Sequence, residues 1–135
     1  MIFEELKYIY KGTSDYNSEK SFFQNDLEAE LIWEFERFGT KVCAIKLGNA
    51  NHSILIANHL ESYKQIHIYR TDNLTESIEK LKKNGVELSS EPFGIPDGQC
   101  VLFKDVSGKE YGVYQKTKDD DYLKNEYLRQ QSEIK

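Results

Sequence analysis

The sequence contains three histidines, the side chains that most often transfer protons near neutral pH. His52 and His59 flank the apolar stretch SILIA, and His67 lies inside the alternating stretch QIHIYR. A lone histidine in such a setting is more often a core or surface residue than a catalyst. We therefore predict no catalytic residue among them.

Motifs for nucleophilic or phosphate chemistry are also missing from the sequence. The stretch GKEYG lacks the spacing of a P-loop, and there is no serine-centred nucleophile elbow. Cys43 and Cys100 lie in strand-like runs. We expect both thiols to be reduced and buried; a disulfide between them is the alternative.

Gly112 interrupts the strand-like stretch EYGVYQ near the end of the chain. Glycine weakens a strand, so it marks either a bulge or a position that another group approaches closely. The rest of the sequence is needed to predict which group lies close to Gly112.

Composition limits the classes of partner. The 135 residues carry 18 basic and 23 acidic side chains, a net charge of −5, and the basic residues form no stripe. This charge disfavours nucleic acid and anionic membranes. No apolar run is long enough for a membrane helix, and the acidic N-terminal stretch MIFEELKYIYKG is unlike a signal peptide. We expect a cytoplasmic location.

The pattern of apolar and turn residues predicts the order strand, helix, strand, strand, strand, written twice. The predicted strands are KYIYKG, AELIWEFERF, TKVCAIKLG, HSILIANHL, KQIHIYRT, VELSSEPFG, GQCVLFKD and KEYGVYQ. The predicted helices are TSDYNSEKSFFQNDL and NLTESIEKLKKNG, the second capped by Asn73 and closed by Gly85. An offset of 58 residues superposes Tyr10 on Ile68. An undivided α+β sheet without internal symmetry is the alternative.

A polar tail, residues 116–135, follows the last predicted strand. Asp119 to Asp121 could begin a short helix with Leu123, Tyr127 and Ile134 on one side. We predict a frayed polar helix; a strap against a partner subunit is the alternative.

The two halves together resemble the vicinal oxygen chelate superfamily, which includes glyoxalase I, extradiol dioxygenases, and fosfomycin- and bleomycin-resistance proteins. The stretches that carry the resemblance are TSDYNSEKSFF, TDNLTESIEKLKKNGVEL and FKDVSGKEYGVYQ. The resemblance implies an α+β fold in which two βαβββ modules form a curled mixed sheet around a cleft, in one domain over residues 1–115. The modules would cover about 5–60 and 64–115. It also implies a homodimer.

In the metalloenzymes of this superfamily, ligands lie on the first and fourth strands of each module. The resemblance places those positions near Tyr8, Leu55, Ile66 and Gly112, none of which suits a divalent metal. A shift of one residue would bring in His67 with Glu110 or Tyr111, but would turn every side chain to the opposite face. We predict no metal and no cofactor.

Strand alternation from Leu55 and Gly112 then predicts the cleft lining. The lining is apolar and aromatic with a few polar groups, which is typical of a small-molecule site. A collapsed or subunit-buried core is the alternative. The predicted ligand-binding residues are Tyr8, Tyr10, Trp33, Phe35, Leu55, Ile66, Ile68, Arg70, Leu102, Glu110, Gly112 and Tyr114.

Two functions fit this lining. The first is a metal-free protein that binds a small apolar or aromatic molecule, as the bleomycin-binding members do. The second is a lyase, isomerase or dioxygenase with a displaced metal or with metal-free acid–base catalysis by Glu110. Metal content separates the two, and we favour binding.

Overall fold

The computed structural model describes residues 1–133. Its contacts divide the chain into two compact units. We call Tyr8–Gln65, together with the residues from Asp121 onward, the first unit; Met1–Lys7 with Ile66–Asp120 is the second unit. Each unit is built around one strand–helix–strand–strand–strand sequence, so the predicted α+β class and the repeated βαβββ pattern are confirmed.

The elements of the first unit are β1 (Glu5–Gly12, of which Tyr8 onward belongs to this unit), α1 (Tyr16–Ser21), β2 (Glu30–Arg37), β3 (Thr40–Lys46) and β4 (Ser53–Ala57). Its strands form a mixed sheet in the order β2-β3-β4-β1. β1 lies parallel to β4, and the other neighbours are antiparallel. The parallel pair requires a long crossover, which α1, β2 and β3 supply.

The helix of the first unit begins as the sequence predicts. The Asp15 carboxylate accepts a hydrogen bond from the Ser18 N–H (3.2 Å), which satisfies one of the free amides of the first turn. The last part of the predicted helix, Phe22–Asp26, widens into a π-helical turn. One side of this helical segment packs on the sheet through a buried core of Tyr16, Phe23, Ala29, Cys43, Ile45 and Ile56.

A bulge changes the phase of β2. Leu31 pairs with Ile45 and Trp33 pairs with Ala44, so β2 has one residue more than β3 over this step. Leu31 packs with the helix-facing core, whereas Trp33 lies on the opposite face with Ala44. This is the face that the sequence predicts for Trp33.

The second unit repeats the arrangement with β5 (Gln65–Arg70), α2 (Leu74–Lys83), β6 (Phe93–Ile95), β7 (Gly98–Lys104) and β8 (Glu110–Lys116). Its strands lie in the order β5-β8-β7-β6. β5 is parallel to β8. Asn73 caps α2 by accepting from the Glu76 N–H (3.0 Å), as predicted, and the helix packs on Val101 and Val113.

The prediction of one continuous strand over VELSSEPFG is wrong. Leu88 forms an isolated antiparallel bridge to β7, and regular pairing resumes only at Phe93–Ile95. Between these points the Leu102 N–H donates to Ser90 Oγ (2.9 Å), so a side-chain oxygen replaces a backbone carbonyl. Pro92 has no N–H to contribute. The ladder is therefore interrupted.

The predicted helical tail is present as α3 (Tyr122–Glu133). It packs on β2 of its own chain: Leu123 is buried, and the Tyr127 ring meets the Phe35 ring edge to face at 6.5 Å. A frayed helix is therefore the wrong description, and a strap against a partner subunit stays an alternative. Ile134 lies outside the described residues. A domain boundary at residue 115 stays a prediction.

Both cysteines are buried and free, so the predicted reduced thiols are confirmed and the disulfide is not formed. Burial raises the pKa of Cys100 to about 12, which removes the thiolate that nucleophilic chemistry would need. None of the helices within residues 1–133 combines the length and apolar character needed to cross a bilayer.

Candidate functional site

A row of four directly paired residues crosses the face of the first-unit sheet that is opposite α1. Tyr10 pairs with Leu55, Leu55 with Ala44, and Ala44 with Trp33. Neighbouring strands lie about 4.8 Å apart, so the backbones of Tyr10 and Trp33 are separated by about 14 Å. Between them lies a floor of one leucine and one alanine, both buried.

The next row, two residues further along each strand, has the same character. Phe35 pairs with Val42, and Val42 with Ala57. The Phe35 ring lies 5.3 Å from the Trp33 ring at an angle of 39°. β2 thus forms an aromatic wall beside short aliphatic side chains. We call this surface, with Tyr8 and Tyr10 on β1, the aromatic face.

A polar pair lies at the β1 side of the aromatic face. The Tyr10 hydroxyl forms a hydrogen bond with His59 Nε2, and the two rings meet edge to face at 5.7 Å. Burial raises the pKa of Tyr10 to about 12, because a phenolate there would lose its hydration. The sequence places His59 just after β4 but gives no signal that it contacts β1.

The loop that carries His59 is held tightly against the first-unit sheet. The Asn58 side chain accepts from the Lys41 N–H (2.8 Å) and donates to the Gly39 carbonyl (3.0 Å). A Cβ on Gly12 would lie 2.0 Å from the Glu61 carbonyl oxygen. Only glycine therefore lets the loop approach β1 so closely.

The corresponding face of the second unit is aliphatic. Ile68 pairs with Gly112, and Gly112 with Leu102, without a bulge. A Cβ on Gly112 would lie 3.1 Å from Ile68 Cγ1 and 3.4 Å from both Cys100 Sγ and Leu102 Cδ2. Gly112 therefore marks a close approach by neighbouring side chains. The expectation of a neighbouring aromatic ring in this space is wrong, because the nearest atoms are aliphatic carbons and a sulfur.

Three polar groups of the predicted lining already have partners in the second unit. The Tyr114 hydroxyl donates to Asp97 Oδ2 (2.8 Å), and both residues are buried. Glu110 Oε2 accepts from Ser89 Oγ (2.9 Å). The Arg70 guanidinium donates twice to one carboxylate oxygen of Glu4, at 3.0 and 3.2 Å. Any ligand contact by these groups would compete with those partners.

The side chains do not fit the metal of the metalloenzymes. Tyr8 and Leu55 in the first unit, and Ile66 and Gly112 in the second, offer no imidazole or carboxylate. Within residues 1–133, no three His, Cys, Asp or Glu side chains are grouped so that they could hold a metal ion.

The alternative register, which would bring His67 into the ligand set, is wrong. His67 pairs with Tyr111, one residue before the pair of Ile68 and Gly112. Val113, two residues after Tyr111, belongs to the core beneath α2. His67 and Tyr111 therefore share the α2 side of the sheet.

The predicted ligand-binding residues fall into one group per unit. The first unit holds Tyr8, Tyr10, Trp33, Phe35 and Leu55, and the second holds Ile66, Ile68, Arg70, Leu102, Glu110, Gly112 and Tyr114. The sequence does not predict two polar partners of these residues, His59 beside Tyr10 and Asp97 beside Tyr114. Each lies in a loop, whose path the alternation of side chains along strands does not predict.

A groove of about 580 Å³ lies on the α2 side of the second unit. Its apolar floor is formed by Ile78, Val86 and Leu88, and Lys82 and Glu91 line it as well. The interrupted ladder at Ser90 forms part of its wall.

No protein-family model matches the sequence, and no curated protein sequence matches it. Solved structures share its fold. Methylmalonyl-CoA epimerase from Mycobacterium tuberculosis superposes with a TM-score of 0.74 at 12% identity, over 87% of this chain and 91% of the epimerase. A hypothetical protein from Bacillus halodurans C-125 gives 0.72 at 17% identity, over 85% and 96%.

The Streptomyces coelicolor methylmalonyl-CoA epimerase, solved in complex with 2-nitronate-propionyl-CoA, gives a TM-score of 0.71 at 10% identity. The match covers 86% of this chain and 99% of the epimerase. Identities this low show the fold alone. The chain thus has the fold of the vicinal oxygen chelate superfamily.

Proposed function

We propose that this protein binds a small apolar or aromatic molecule without a metal ion or another cofactor. The binding residues are the twelve that the sequence predicts, and those of the aromatic face make the main contacts. The proposed role is sequestration of the ligand, as in the bleomycin-binding members of the superfamily, and not its chemical conversion.

One observation carries this proposal: the aromatic wall of Trp33 and Phe35 stands beside a floor of Ala44, Leu55 and Ala57. The rings supply large apolar contact areas at small entropic cost. Trp33 is buried, and Tyr127 of α3 lies against Phe35 on the same face, so α3 forms one side of the proposed site. The tyrosines on β1 add hydroxyl groups that fix the orientation of a ligand.

The chemistry of the face also limits what it binds. Solved epimerases with this fold hold CoA esters such as methylmalonyl-CoA, which supports a small-molecule site in the fold. A CoA ester carries several phosphates, however, and none of Tyr8, Tyr10, Trp33 and Phe35 is cationic. The net charge of −5 adds a further penalty for an anionic ligand. A neutral or cationic ligand suits this chain better.

The assembly that we propose is a cytoplasmic homodimer with no nucleic-acid or membrane partner. Each unit has an edge strand in its sheet, β2 in the first and β6 in the second. Edge strands offer unpaired backbone groups, which a second subunit can cover.

Toluene provides a direct test, because it absorbs little light where tryptophan is excited and Trp33 is the only tryptophan. We expect toluene to change Trp33 emission saturably. We expect Phe35→Ala to weaken this binding by at least about tenfold, as for an aromatic contact at the centre of a site.

Phe38→Ala is the matched control, because Phe38 follows β2 directly and its side chain is 96% exposed. It should leave the titration unchanged. A titration that does not saturate, or an equal loss in both variants, would contradict the proposal.

A further inference from the structure

We propose that Tyr10 and His59 form the polar recognition element of the aromatic face and select ligands that carry a protonated amine. His59 acts as a positioning residue: its Nε2 accepts the hydrogen bond of the Tyr10 hydroxyl, so the phenolic oxygen is left to accept a hydrogen bond from the ligand. This inference rests on the proposed function and names the class of ligand.

The loop that carries His59 fixes the position of this contact, although the His59 side chain itself is exposed. The Tyr10 hydroxyl meets His59 Nε2 within hydrogen-bond distance, and the rings lie at 84° to each other. The loop of His59 is fixed at Asn58 by two side-chain hydrogen bonds to β3 and its preceding turn. Further along, Gly12 allows the Glu61 carbonyl to approach β1.

The direction of the Tyr10–His59 hydrogen bond follows from the need of the Tyr10 hydroxyl hydrogen for an acceptor. If His59 Nε2 carried the hydrogen, the Tyr10 hydroxyl hydrogen would need another acceptor, and within residues 1–133 no second side-chain hydrogen bond of this hydroxyl is present. A half-buried donor without an acceptor is costly. The arrangement in which Tyr10 donates and His59 accepts avoids this cost.

The protonation state of Tyr10 agrees with this direction. Burial raises the pKa of the phenol to about 12, so it keeps its hydrogen near neutral pH.

A ligand with an ammonium group satisfies both parts of the aromatic face. Its N–H donates to the oxygen of Tyr10, in a charge-assisted hydrogen bond. Its positive charge is attracted to the faces of the aromatic rings, which carry negative electrostatic potential. Its apolar part contacts the wall of Trp33 and Phe35. A carboxylate in the same place would meet the lone pairs of the phenolic oxygen.

Three probes of similar shape test the inference near neutral pH: benzylammonium, toluene and benzoate. Trp33 emission reports on each titration. We expect wild-type protein to bind benzylammonium at least about tenfold more tightly than toluene, and benzoate more weakly than toluene. The measured quantity is the ratio of the benzylammonium and toluene affinities. A variant that is merely less stable would weaken both affinities alike and leave this ratio unchanged.

Tyr10→Phe and His59→Leu should each bring the ratio to within about twofold of unity. His59→Gln should preserve most of it, because the Gln carbonyl can still accept from Tyr10. His52→Leu is the control, because this half-buried histidine lies at the other end of β4, and it should keep the wild-type ratio.

The outcomes separate this inference from the function on which it rests. If toluene binds but Tyr10→Phe and His59→Leu keep the wild-type ratio, the recognition element is wrong and the binding function stands. A preference for benzoate over benzylammonium would also overturn it. If none of the three probes changes Trp33 emission, both proposals fall.

Discussion

Gly112 lies directly opposite Ile68 in the parallel pair of β5 and β8, and a Cβ at Gly112 would stand 3.1 Å from Ile68 Cγ1. The equivalent pair in the first unit is Leu55 opposite Tyr10. The fourth strand of each unit thus carries an apolar residue or a glycine at the position where the sequence resemblance predicts a metal ligand.

The first prediction concerns a carboxylate introduced at that position. Gly112→Glu would bury a charge among Ile68, Cys100 and Leu102, and should lower the free energy of unfolding by at least about 3 kcal/mol near neutral pH. Added Zn²⁺ or Mn²⁺ should not restore it, because one carboxylate cannot hold a metal alone. Thermal and urea unfolding measure the change.

The effect of Gly112→Glu should also depend on pH. Burial raises the pKa of the new carboxyl in the folded state, so the deficit should be smallest below its unfolded pKa, about 4.3, and grow as pH rises. Gly94→Glu is the control, because Gly94 is exposed and a Cβ there meets nothing within 4 Å. A deficit that is equal at both sites would contradict the packing seen at Gly112.

The second prediction concerns the acid stability of the first unit. Burial works to raise the pKa of Glu34, but hydrogen bonds from Lys20 (2.8 Å) and Tyr16 (2.7 Å) outweigh it and hold the pKa below its usual value. Because the pKa of Glu34 is lower in the folded than in the unfolded protein, its carboxylate stabilises the fold at pH values above the pKa of the unfolded state. This stabilisation is lost as the pH falls.

Glu34→Gln should therefore destabilise the protein near neutral pH, and its difference from wild type should shrink as pH falls below about 4.5. Urea unfolding over a pH series measures this. Glu36→Gln, exposed on the same strand, should show no such trend. A Glu34→Gln difference that is constant with pH would contradict the assignment.

The third prediction uses the phenol of Tyr10. Subtracting the alkaline absorbance titration of Tyr10→Phe from that of wild type should isolate one tyrosine with a midpoint near 12. Because the folded pKa is raised, the contribution of Tyr10 to stability should be present below about 10 and decline as pH rises toward 12. A midpoint near the ordinary value of 10 would show that Tyr10 is exposed in solution.

The fourth prediction tests how α3 packs. Leu123 is 8% exposed and Leu128 is 52% exposed in the same helix, so the two substitutions Leu123→Ala and Leu128→Ala remove the same atoms from different surroundings. The first should lower the free energy of unfolding by about 2 kcal/mol, and the second by less than about 0.5 kcal/mol. Equal effects would mean that α3 does not pack on β2 through Leu123.

The sequence predicts those parts of the structure that depend on local periodicity. The caps at Asp15 and Asn73, the order of strands and helices, and the faces of Trp33 and Gly112 follow from side-chain spacing and turn residues. The same signals occur in both units, so a wrongly assigned strand or helix in one unit would have disagreed with the matching element of the other.

The parts that the sequence does not predict depend on contacts between distant residues. The hydrogen bond of Ser90 to β7 interrupts a strand that has an ordinary strand composition. His59 reaches Tyr10 only because the loop after β4 folds back over Gly12. The packing of α3 on Phe35 brings together residues that no short-range pattern connects.

Native mass spectrometry of protein purified without chelators tests the central claim most directly, namely that this chain uses the vicinal oxygen chelate fold without its metal. The account predicts a dimer mass that equals two polypeptides, with no divalent metal retained. One tightly held Zn²⁺, Mn²⁺ or Fe²⁺ per chain would contradict it and would place the protein with the metalloenzymes of its fold.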